Sequence, residues 1–319
     1  MPNHPPFTPA SGDRFLGIEI GGTKLQIVVG TSGGEIVERR RFEVDREGGA
    51  EGIRSRIAEV VPQLVTMGRP DAVGVGYGGP VDHRTGRIVT SHHVGGWNSF
   101  PLGEWLAEIA RLPVFVDNDA NVAALGEAIH GAGRRRSPVF YVTLGSGVGG
   151  GLVCNGRIYH GFTPGEAEIG HLRLDREGRT VEDCCSGWSV DRSIRAAVAE
   201  ATDGPLARLV ASGPGPEARH LAEAIAAGDE GAKRILEGFA ENLGFALSHV
   251  THLFHPEMIV LGGGLSLVGE PLREAVARHL PRFVMDAFGP GPLVALAELR
   301  EDAVTVGAVA LAARRLSES

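Results

Sequence analysis

The stretch of residues 116–121, which reads VDNDAN, concentrates two carboxylates and two amides within a few positions. Its first residue, Val116, ends the apolar run 113–116, and a stretch with helical character follows at 122–129. A carboxylate at the end of a buried strand can accept a proton from a substrate hydroxyl. Asp119 can instead cap the helix that follows, because Asp is a favoured N-cap residue. The pattern alone leaves both functions open.

Three glycine-rich turns, each directly after an apolar strand, are candidates for binding phosphate. Glycine lets several backbone N–H groups converge on an anion without interference from a Cβ, and the hydroxyls of Thr23 and Ser146 would add donors. Ordinary hairpin chemistry explains any one turn by itself. Neither the dinucleotide-binding fingerprint nor the P-loop motif is matched in its strand-to-helix setting. The turns contain Gly21, Gly22, Thr23 and Lys24 in the first, Gly145, Ser146 and Gly147 in the second, and Gly262, Gly263 and Gly264 in the third.

Length, charge and cysteine usage exclude several classes of protein. The chain has 319 residues, which is enough for one large or two medium domains. Its formal net charge of −8 argues against nonspecific nucleic-acid binding, which needs a basic face. No apolar run reaches the roughly 18 residues that span a membrane, and residues 1–14 lack a signal-peptide pattern and are expected to form a flexible tail. Of the three cysteines, Cys184 and Cys185 are adjacent, so no disulfide framework is implied and a reducing cytoplasm is expected.

Strand and helix signals alternate along the chain and predict an α/β protein. The first part has the pattern of a three-stranded meander followed by helix and strand units. After residues 131–136, a second round of strand, glycine turn, strand and helices begins. The stretch 217–252 predicts helix with a break at Gly228 or Gly231. The predicted strands are 15–20, 24–29, 35–42, 71–77, 113–116, 139–144, 151–153 and 258–261, and the other predicted helices are 52–67 and 304–316.

Six motifs, in order along the chain, resemble those of the ROK family of sugar kinases, which belongs to the actin-like, ribonuclease-H-like ATPase superfamily. They read GIEIGGTK, GYGGPVD, VDNDAN, LGSGVGGG, GEAEIGH and IVLGGGLS, and the resemblance covers residues 15–316. One such motif is weak, but six in the family's order are specific. The resemblance implies two α/β domains with a cleft between them. The first would be residues 15–131 completed by the helix 304–316, and the second residues 132–303.

The resemblance also implies functions for individual residues. Asp119, in the N-D-A-N sequence, matches the family's catalytic base, and a primary alcohol needs such a base as the phosphoryl group arrives. The three glycine-rich turns would bind ATP, and Glu19 would lie near a Mg²⁺ ion that bridges the β- and γ-phosphates. The spacing of Glu168 and His171 would place them together on one helical turn or on a tight loop. The residues implied to contact the sugar are Gly79, Asn118, Asp119, Glu168, His171 and Glu182.

Three features depart from the family pattern. Many relatives hold a zinc ion with one His and three Cys in C-x-C-G-x-x-G-C. Here the segment 172–181 has no Cys, and Cys184 and Cys185 lie beyond the matching positions, so no structural zinc is expected. Glu19 stands where the family usually has Asp; it could still reach Mg²⁺ through water, or it could weaken the use of ATP. His93 stands near a position where relatives often have an Asn that touches the sugar, which leaves the sugar open.

The sequence therefore predicts an ATP-dependent hexose kinase that phosphorylates glucose at its 6-hydroxyl, with Asp119 as general base. N-acetylglucosamine or N-acetylmannosamine is the alternative sugar, and polyphosphate the alternative phosphoryl donor. A sugar-sensing transcription regulator is disfavoured, because about fourteen residues precede the first strand, too few for a helix-turn-helix domain. Glu19 keeps a non-catalytic sugar-binding protein open. We expect a cytoplasmic homodimer that binds a sugar and a nucleotide but neither nucleic acid nor membrane.

Overall fold

The computed structural model describes residues 13–45, 48–90, 95–163, 165, 167–213 and 215–318. Most of the predicted tail 1–14, and His93, lie outside the described residues. The strands are β1 (Arg14–Ile20), β2 (Lys24–Thr31), β3 (Ile36–Glu43), β4 (Ala72–Tyr77), β5 (Val81–Asp82), β6 (Arg87–Ile88), β7 (Val114–Asn118), β8 (Val139–Leu144), β9 (Val148–Cys154), β10 (Arg157–Ile158), β11 (Met258–Gly262) and β12 (Leu293–Leu296). The helices are α1 (Gly49–Gly68), α2 (Leu102–Ala110), α3 (Asp119–His130), α4 (Val181–Cys185), α5 (Gly187–Glu200), α6 (Pro205–Ala211), α7 (Leu221–Ala226), α8 (Glu230–Phe254), α9 (Glu270–His279) and α10 (Ala303–Glu318).

The chain forms two compact units. The first takes in the described residues of Met1–His130, His160–Glu166 and Asp302–Ser319, and the second those of Gly131–Tyr159 and Ala167–Glu301. The described residues of the segment 160–166, which the sequence-derived boundaries group with the second half, belong to the first unit. Among the described helices, none combines the length and the apolar character that crossing a membrane requires.

Each unit contains a five-stranded sheet, and the two sheets have the same pattern of strand directions. The order is β3-β2-β1-β4-β7 in the first unit and β10-β9-β8-β11-β12 in the second. In each sheet an antiparallel meander of three strands is continued by two strands parallel to the meander's first strand. The similarity between the two halves that the sequence pattern predicts is therefore confirmed as a repeated sheet architecture.

Alternation along β1 divides the side chains of the first unit between two hydrophobic layers. Leu16, Ile18 and Ile20 pack with α1 and α2, whereas Phe15 packs with Val309 of α10. The helical periodicity predicted for 52–67 is confirmed, because its apolar positions are buried. These are Ile53, Ile57, Val60, Val61 and Leu64.

Close backbone contacts allow α10 to lie directly on the first sheet and on α3. A Cβ on Gly74 of β4 would overlap the carbonyl of Ala308 in α10. A Cβ on Gly307 would overlap the carbonyl of Val122 in α3. Glycine at these two positions is therefore a packing requirement.

The second unit buries its sheet against the long helix α8. The break predicted in the helical stretch 217–252 is confirmed at Gly228, which has φ +81°. The next residue, Asp229, caps α8 by accepting the amide proton of Ala232 at 2.9 Å. Side chains from the sheet and from α8 share one core, including Val142, Leu144, Leu243, Leu247, Ile259 and Leu261.

Candidate active site

Asn118 and Asp119 form the junction between β7 and α3. Asn118 is the last residue of the strand, and Asp119 is the first of the helix. Oδ1 of Asn118 accepts hydrogen bonds from the amides of Ala120 at 2.9 Å and Asn121 at 3.3 Å, which is how an N-cap side chain satisfies the first helical N–H groups. The cap that the sequence also allowed for Asp119 therefore belongs to Asn118. In the structure the capping side chain and the carboxylate of Asp119 thus belong to two adjacent residues.

The carboxyl ends of β1, β4 and β7 bring three predicted segments together in the first unit. The amide of Gly78 donates to the carbonyl of Ile20 at 2.9 Å, so the turn after β4 lies beside the glycine turn after β1. Nδ2 of Asn118 donates to the carbonyl of Gly79 at 3.2 Å. A Cβ on Gly78 would lie 3.3 Å from Oδ2 of Asp119. These groups share the edge at which open α/β sheets bind ligands.

Asp117 is buried one position before Asn118 and is held by three hydrogen-bond contacts. Its Oδ1 accepts from the amide of Asn118 at 2.8 Å and from Nδ2 of Asn121 at 3.1 Å. Its Oδ2 lies 2.7 Å from Nε2 of His160, whose ring stacks on His83 with centroids 3.6 Å apart. Burial, and next the neighbouring His160, lower the pKa of His83. Sequence reasoning missed this contact, because no local pattern marks either histidine.

Glu19 and Lys24 flank the first glycine turn. The amide of Gly21 donates to the carbonyl of Lys24 at 3.0 Å, which confirms the predicted hairpin turn between β1 and β2. Oε1 of Glu19 lies 3.1 Å from Nζ of Lys24, and Oε2 accepts from Nε2 of Gln26 at 2.8 Å. Burial raises the pKa of Glu19, while Lys24 and Gln26 oppose that rise. Both oxygens of the carboxylate expected near Mg²⁺ are thus engaged by protein side chains.

The second glycine turn joins β8 to β9 and is supported by α4. The amide of Gly145 donates to the carbonyl of Gly147 at 2.9 Å, and the carbonyl of Gly145 accepts from the amide of Gly187 at 2.7 Å. Oε2 of Glu182 accepts the amide proton of Val148 at 2.9 Å. Glu182, which the resemblance assigns to the sugar, therefore lies against a turn assigned to phosphate.

The third glycine turn packs against the second and forms part of a cavity. Gly263 has φ +79°, and a Cβ there would lie 2.6 Å from the amide nitrogen of Leu144, so only glycine fits. A cavity of about 390 Å³ lies between the two turns, within the size range of small-molecule sites. A larger cavity of about 770 Å³ lies along α5 and α8, but the residues that line it include none of the predicted site residues. The smaller cavity is lined in part by Ser146, Gly264, Trp188, Arg219 and Leu267.

Sequence reasoning missed Trp188, Arg219 and Leu267, although their side chains line the smaller cavity. Trp188 lies near the start of α5, and its side chain is exposed although it is large and apolar. An exposed tryptophan beside a glycine turn is a signal for a binding surface. The sequence shows only that Trp188 follows Gly187. It does not show that the tryptophan side chain is exposed.

Glu168 and His171 lie at the two ends of one short 3-10 turn, whose helical residues are Ile169–His171. Oε2 of Glu168 and Nε2 of His171 are 3.9 Å apart, and both side chains are exposed. The turn is anchored to the second sheet, because Ile169 is buried in the core of that unit. The predicted placement on one turn is confirmed, and contact of this pair with a sugar stays a prediction.

The cysteines do not gather into a metal site. Within the part of the chain that the structure describes, no group of three or more His, Cys, Asp and Glu side chains is arranged to hold a metal ion. Cys184 and Cys185 both lie on α4, and burial raises the pKa of each thiol. A raised pKa disfavours the thiolate, which is the form that binds metals. The expectation of no structural zinc stays a prediction.

Comparison with known proteins identifies the family of this chain. Residues 15–315 match the sequence model of the ROK family. The chain belongs to the ROK family. Among its relatives, a glucokinase of Halalkalibacterium halodurans is 32% identical over 307 residues, which covers 92% of this chain and 93% of the relative. A glucokinase of Thermotoga maritima is 31% identical over 316 residues, which covers 95% of this chain and 98% of the relative.

A solved structure from the ROK family shares the fold. The ROK family glucokinase from Streptomyces griseus, in complex with glucose and AMPPNP, is similar with a TM-score of 0.82 at 30% sequence identity. The similarity covers 94% of this chain and 99% of that one. The predicted fold class, the two-domain actin-like α/β fold of ROK proteins, is therefore confirmed.

Proposed function

We propose that this ROK protein is an ATP-dependent sugar kinase that phosphorylates a hexose, with glucose at its 6-hydroxyl as the first substrate. The observation that carries the proposal is that the helix cap at the end of β7 and the neighbouring carboxylate belong to two different residues. Asn118 caps α3, so the Asp119 carboxylate is not needed as the cap. We assign Asp119 the role of general base, accepting the hydroxyl proton as the phosphoryl group arrives. The two glucokinase relatives, and the glucokinase that binds glucose and AMPPNP, support the proposed sugar-kinase activity.

The proposed sugar site uses side chains with donors and acceptors that match neighbouring hydroxyls. The carbonyl of Gly79 is fixed by Asn118, which supports both as contacts. Oε2 of Glu182 already accepts the amide proton of Val148, so we assign any sugar contact of this residue to Oε1. The full set of proposed contacts is Gly79, Asn118, Asp119, Glu168, His171 and Glu182.

The proposed nucleotide site uses the cavity of the second unit. Its volume of about 390 Å³ and its mixed lining suit a purine base. We place the base against the apolar side chains of Trp188 and Leu267. Backbone N–H groups of the glycine turns and the hydroxyl of Ser146 would bind phosphate. The turn of residues 21–24 is assigned to phosphate as well.

The Mg²⁺ ion that the family implies fits better if it is bound by ATP than if Glu19 ligates it directly. The two carboxylate oxygens of Glu19 hold Lys24 and Gln26, so a directly bound metal ion would have to share an oxygen with one of these side chains. In nucleotide sites Mg²⁺ keeps several waters and is held largely through phosphate oxygens. We propose that Glu19 orients the Lys24 ammonium group beside the phosphates.

The test of the proposed function is the formation of sugar phosphate by the purified protein. Glucose, N-acetylglucosamine and N-acetylmannosamine would each be supplied with ATP and with polyphosphate. We expect the highest kcat/KM for glucose with ATP. A protein that binds a sugar but forms no sugar phosphate with either donor would be a non-catalytic sugar binder, and the proposal would fail. Light scattering on the same preparation would test the proposed homodimer.

A further inference from the structure

The carboxylate of Asp117 lies beneath the turn that carries Asn118 and Asp119. Asp117 is 3% exposed, so each of its oxygens must find a partner within the protein. Oδ1 accepts hydrogen bonds from the backbone N–H of Asn118 and from Nδ2 of Asn121. The carboxylate therefore holds both the end of β7 and the first turn of α3.

The other oxygen of Asp117 is held by a residue remote in sequence. Nε2 of His160 lies 2.7 Å from Oδ2, and a carboxylate oxygen accepts, so Nε2 carries the proton and donates it. His160 follows β10 along the chain but packs within the first unit. Its ring is parallel to that of His83 within 9°, with centroids 3.6 Å apart. The imidazole is thus fixed by a stack on its face and a hydrogen bond at its edge.

Resting on the proposed kinase activity, we propose that His160 is a positioning residue: through its hydrogen bond to Asp117 it holds the turn that presents Asn118 and Asp119 to the substrate. Loss of the donor leaves Oδ2 buried without its partner, and such a group turns toward another donor or toward water. Rotation of the Asp117 carboxylate lengthens the bond to the amide of Asn118. The carboxylate of Asp119, one residue further on, then loses its alignment.

Two variants of His160 separate the hydrogen bond from the stack. His160→Phe keeps a flat ring against His83 but has no donor for Asp117. His160→Gln loses the ring but keeps a side-chain N–H that can reach the carboxylate. We expect kcat to fall about 10–100-fold in His160→Phe, the scale of a small misplacement of a reacting group, and only a few fold in His160→Gln. KM for ATP should stay unchanged in both, since the proposed base pocket lies in the second unit.

A double variant tests whether His160 acts through Asp119. When two residues serve one step, their losses are not additive. We expect His160→Phe combined with Asp119→Asn to turn over no more slowly than Asp119→Asn alone. Should His160→Phe fail to fold, His160→Leu, which also lacks a donor for Asp117, takes its place in both comparisons.

The outcomes distinguish this inference from the proposed function. Equal losses of kcat in His160→Phe and His160→Gln, or additive losses in the double variant, would overturn the positioning role. An active wild-type protein whose His160→Phe variant is equally active would overturn that role alone. A wild-type protein that phosphorylates no hexose would overturn the proposed kinase activity, and the positioning role with it.

Discussion

Asn118 caps the helix that begins with Asp119. Oδ1 of Asn118 accepts the amide protons of Ala120 and Asn121, while its Nδ2 donates to the carbonyl of Gly79. One amide side chain thus ends the strand, begins the helix and fixes the neighbouring turn. Because capping and the proposed proton acceptance lie on different residues, substitutions at the two positions should affect different measurements.

Asp119→Asn should lower turnover by about 10²–10⁴, the usual contribution of a general base, because an amide cannot accept the proton. Sugar affinity measured by calorimetry should stay within a few fold, and the free energy of unfolding should be close to that of the wild type. The matched variant Asn118→Ala should instead cost about 1 kcal/mol of stability through the lost cap, and it should weaken sugar binding because its amide is a proposed sugar contact. Near-normal turnover in a folded Asp119→Asn protein would rule out Asp119 as the base.

The sequence could predict features that depend on neighbours along the chain. The hairpin at Gly21, the helical face of α1 and the break at Gly228 all follow from local periodicity and turn chemistry. The sequence predicts a strand that starts at residue 151, because the glycines before it have the composition of a turn, whereas β9 starts at Val148 in the structure. The glycines pair with β8 instead, from Gly149 opposite Thr143 to Gly151 opposite Tyr141.

Features that depend on tertiary contact could not be predicted from the sequence. The two-residue strands β5, β6 and β10 are too short to show a period. His83 and His160 meet across many intervening residues, so no spacing rule connects them. Trp188 forms part of the cavity because glycine turns from two other segments meet beside it. Each of these features depends on contact with a segment that is distant in the sequence, so no local pattern reveals it.

Glu168→Ala and His171→Ala should each weaken sugar binding with little change in nucleotide binding. Each removes a charged or polar group proposed to hydrogen-bond a hydroxyl, a loss of about 1.5–3 kcal/mol where the bond involves a charged group. The two side chains are exposed and lie 3.9 Å apart on one turn, so neither change should disturb the core. Glu177→Ala, at another exposed position, serves as the control. Unchanged sugar affinity in both variants would remove the pair from the site.

Trp188→Ala should weaken ATP binding and leave sugar binding unchanged. The indole lines the cavity beside Ser146 and Gly264, and an aromatic stacking contact contributes about 1 kcal/mol beyond the buried area. The expected result is a rise of about fivefold in KM for ATP, with kcat at saturating ATP preserved. Conservative replacement by Phe should restore most of the affinity. Equal affinity for ATP in the wild type and Trp188→Ala would place the base elsewhere.

Metal analysis of the purified protein should find far less than stoichiometric zinc, and a chelator should leave the melting temperature unchanged. The thiol of Cys185 is buried in the core and hydrogen-bonds the carbonyl of Phe239 at 4.0 Å, so it serves packing rather than ligation. Cys184 is partly exposed but has a raised pKa. Stoichiometric zinc that is lost in Cys184→Ser would refute this prediction.

His83→Phe should make the free energy of unfolding less sensitive to acidic pH. Burial first, and then His160, lower the pKa of His83 from 6.5, while Asp117 and Asp82 oppose the shift and Arg315 adds to it. The folded state therefore favours the neutral imidazole. As the pH falls below 6.5, the unfolded chain binds a proton that the folded chain does not, so the free energy of unfolding decreases.

Phenylalanine at position 83 keeps a ring against His160 but carries no proton, and Nδ1 of His83 is buried without a hydrogen-bond partner, so no bond is lost at that atom. The prediction is a smaller loss of stability between pH 7 and pH 5 in His83→Phe than in the wild type, measured by urea denaturation at each pH. At pH 8 and above, well above the ordinary pKa of 6.5, His83 is neutral in both states and its protonation contributes no difference between the two proteins. Parallel decreases in the two proteins below pH 6.5 would show that His83 does not cause the acid sensitivity.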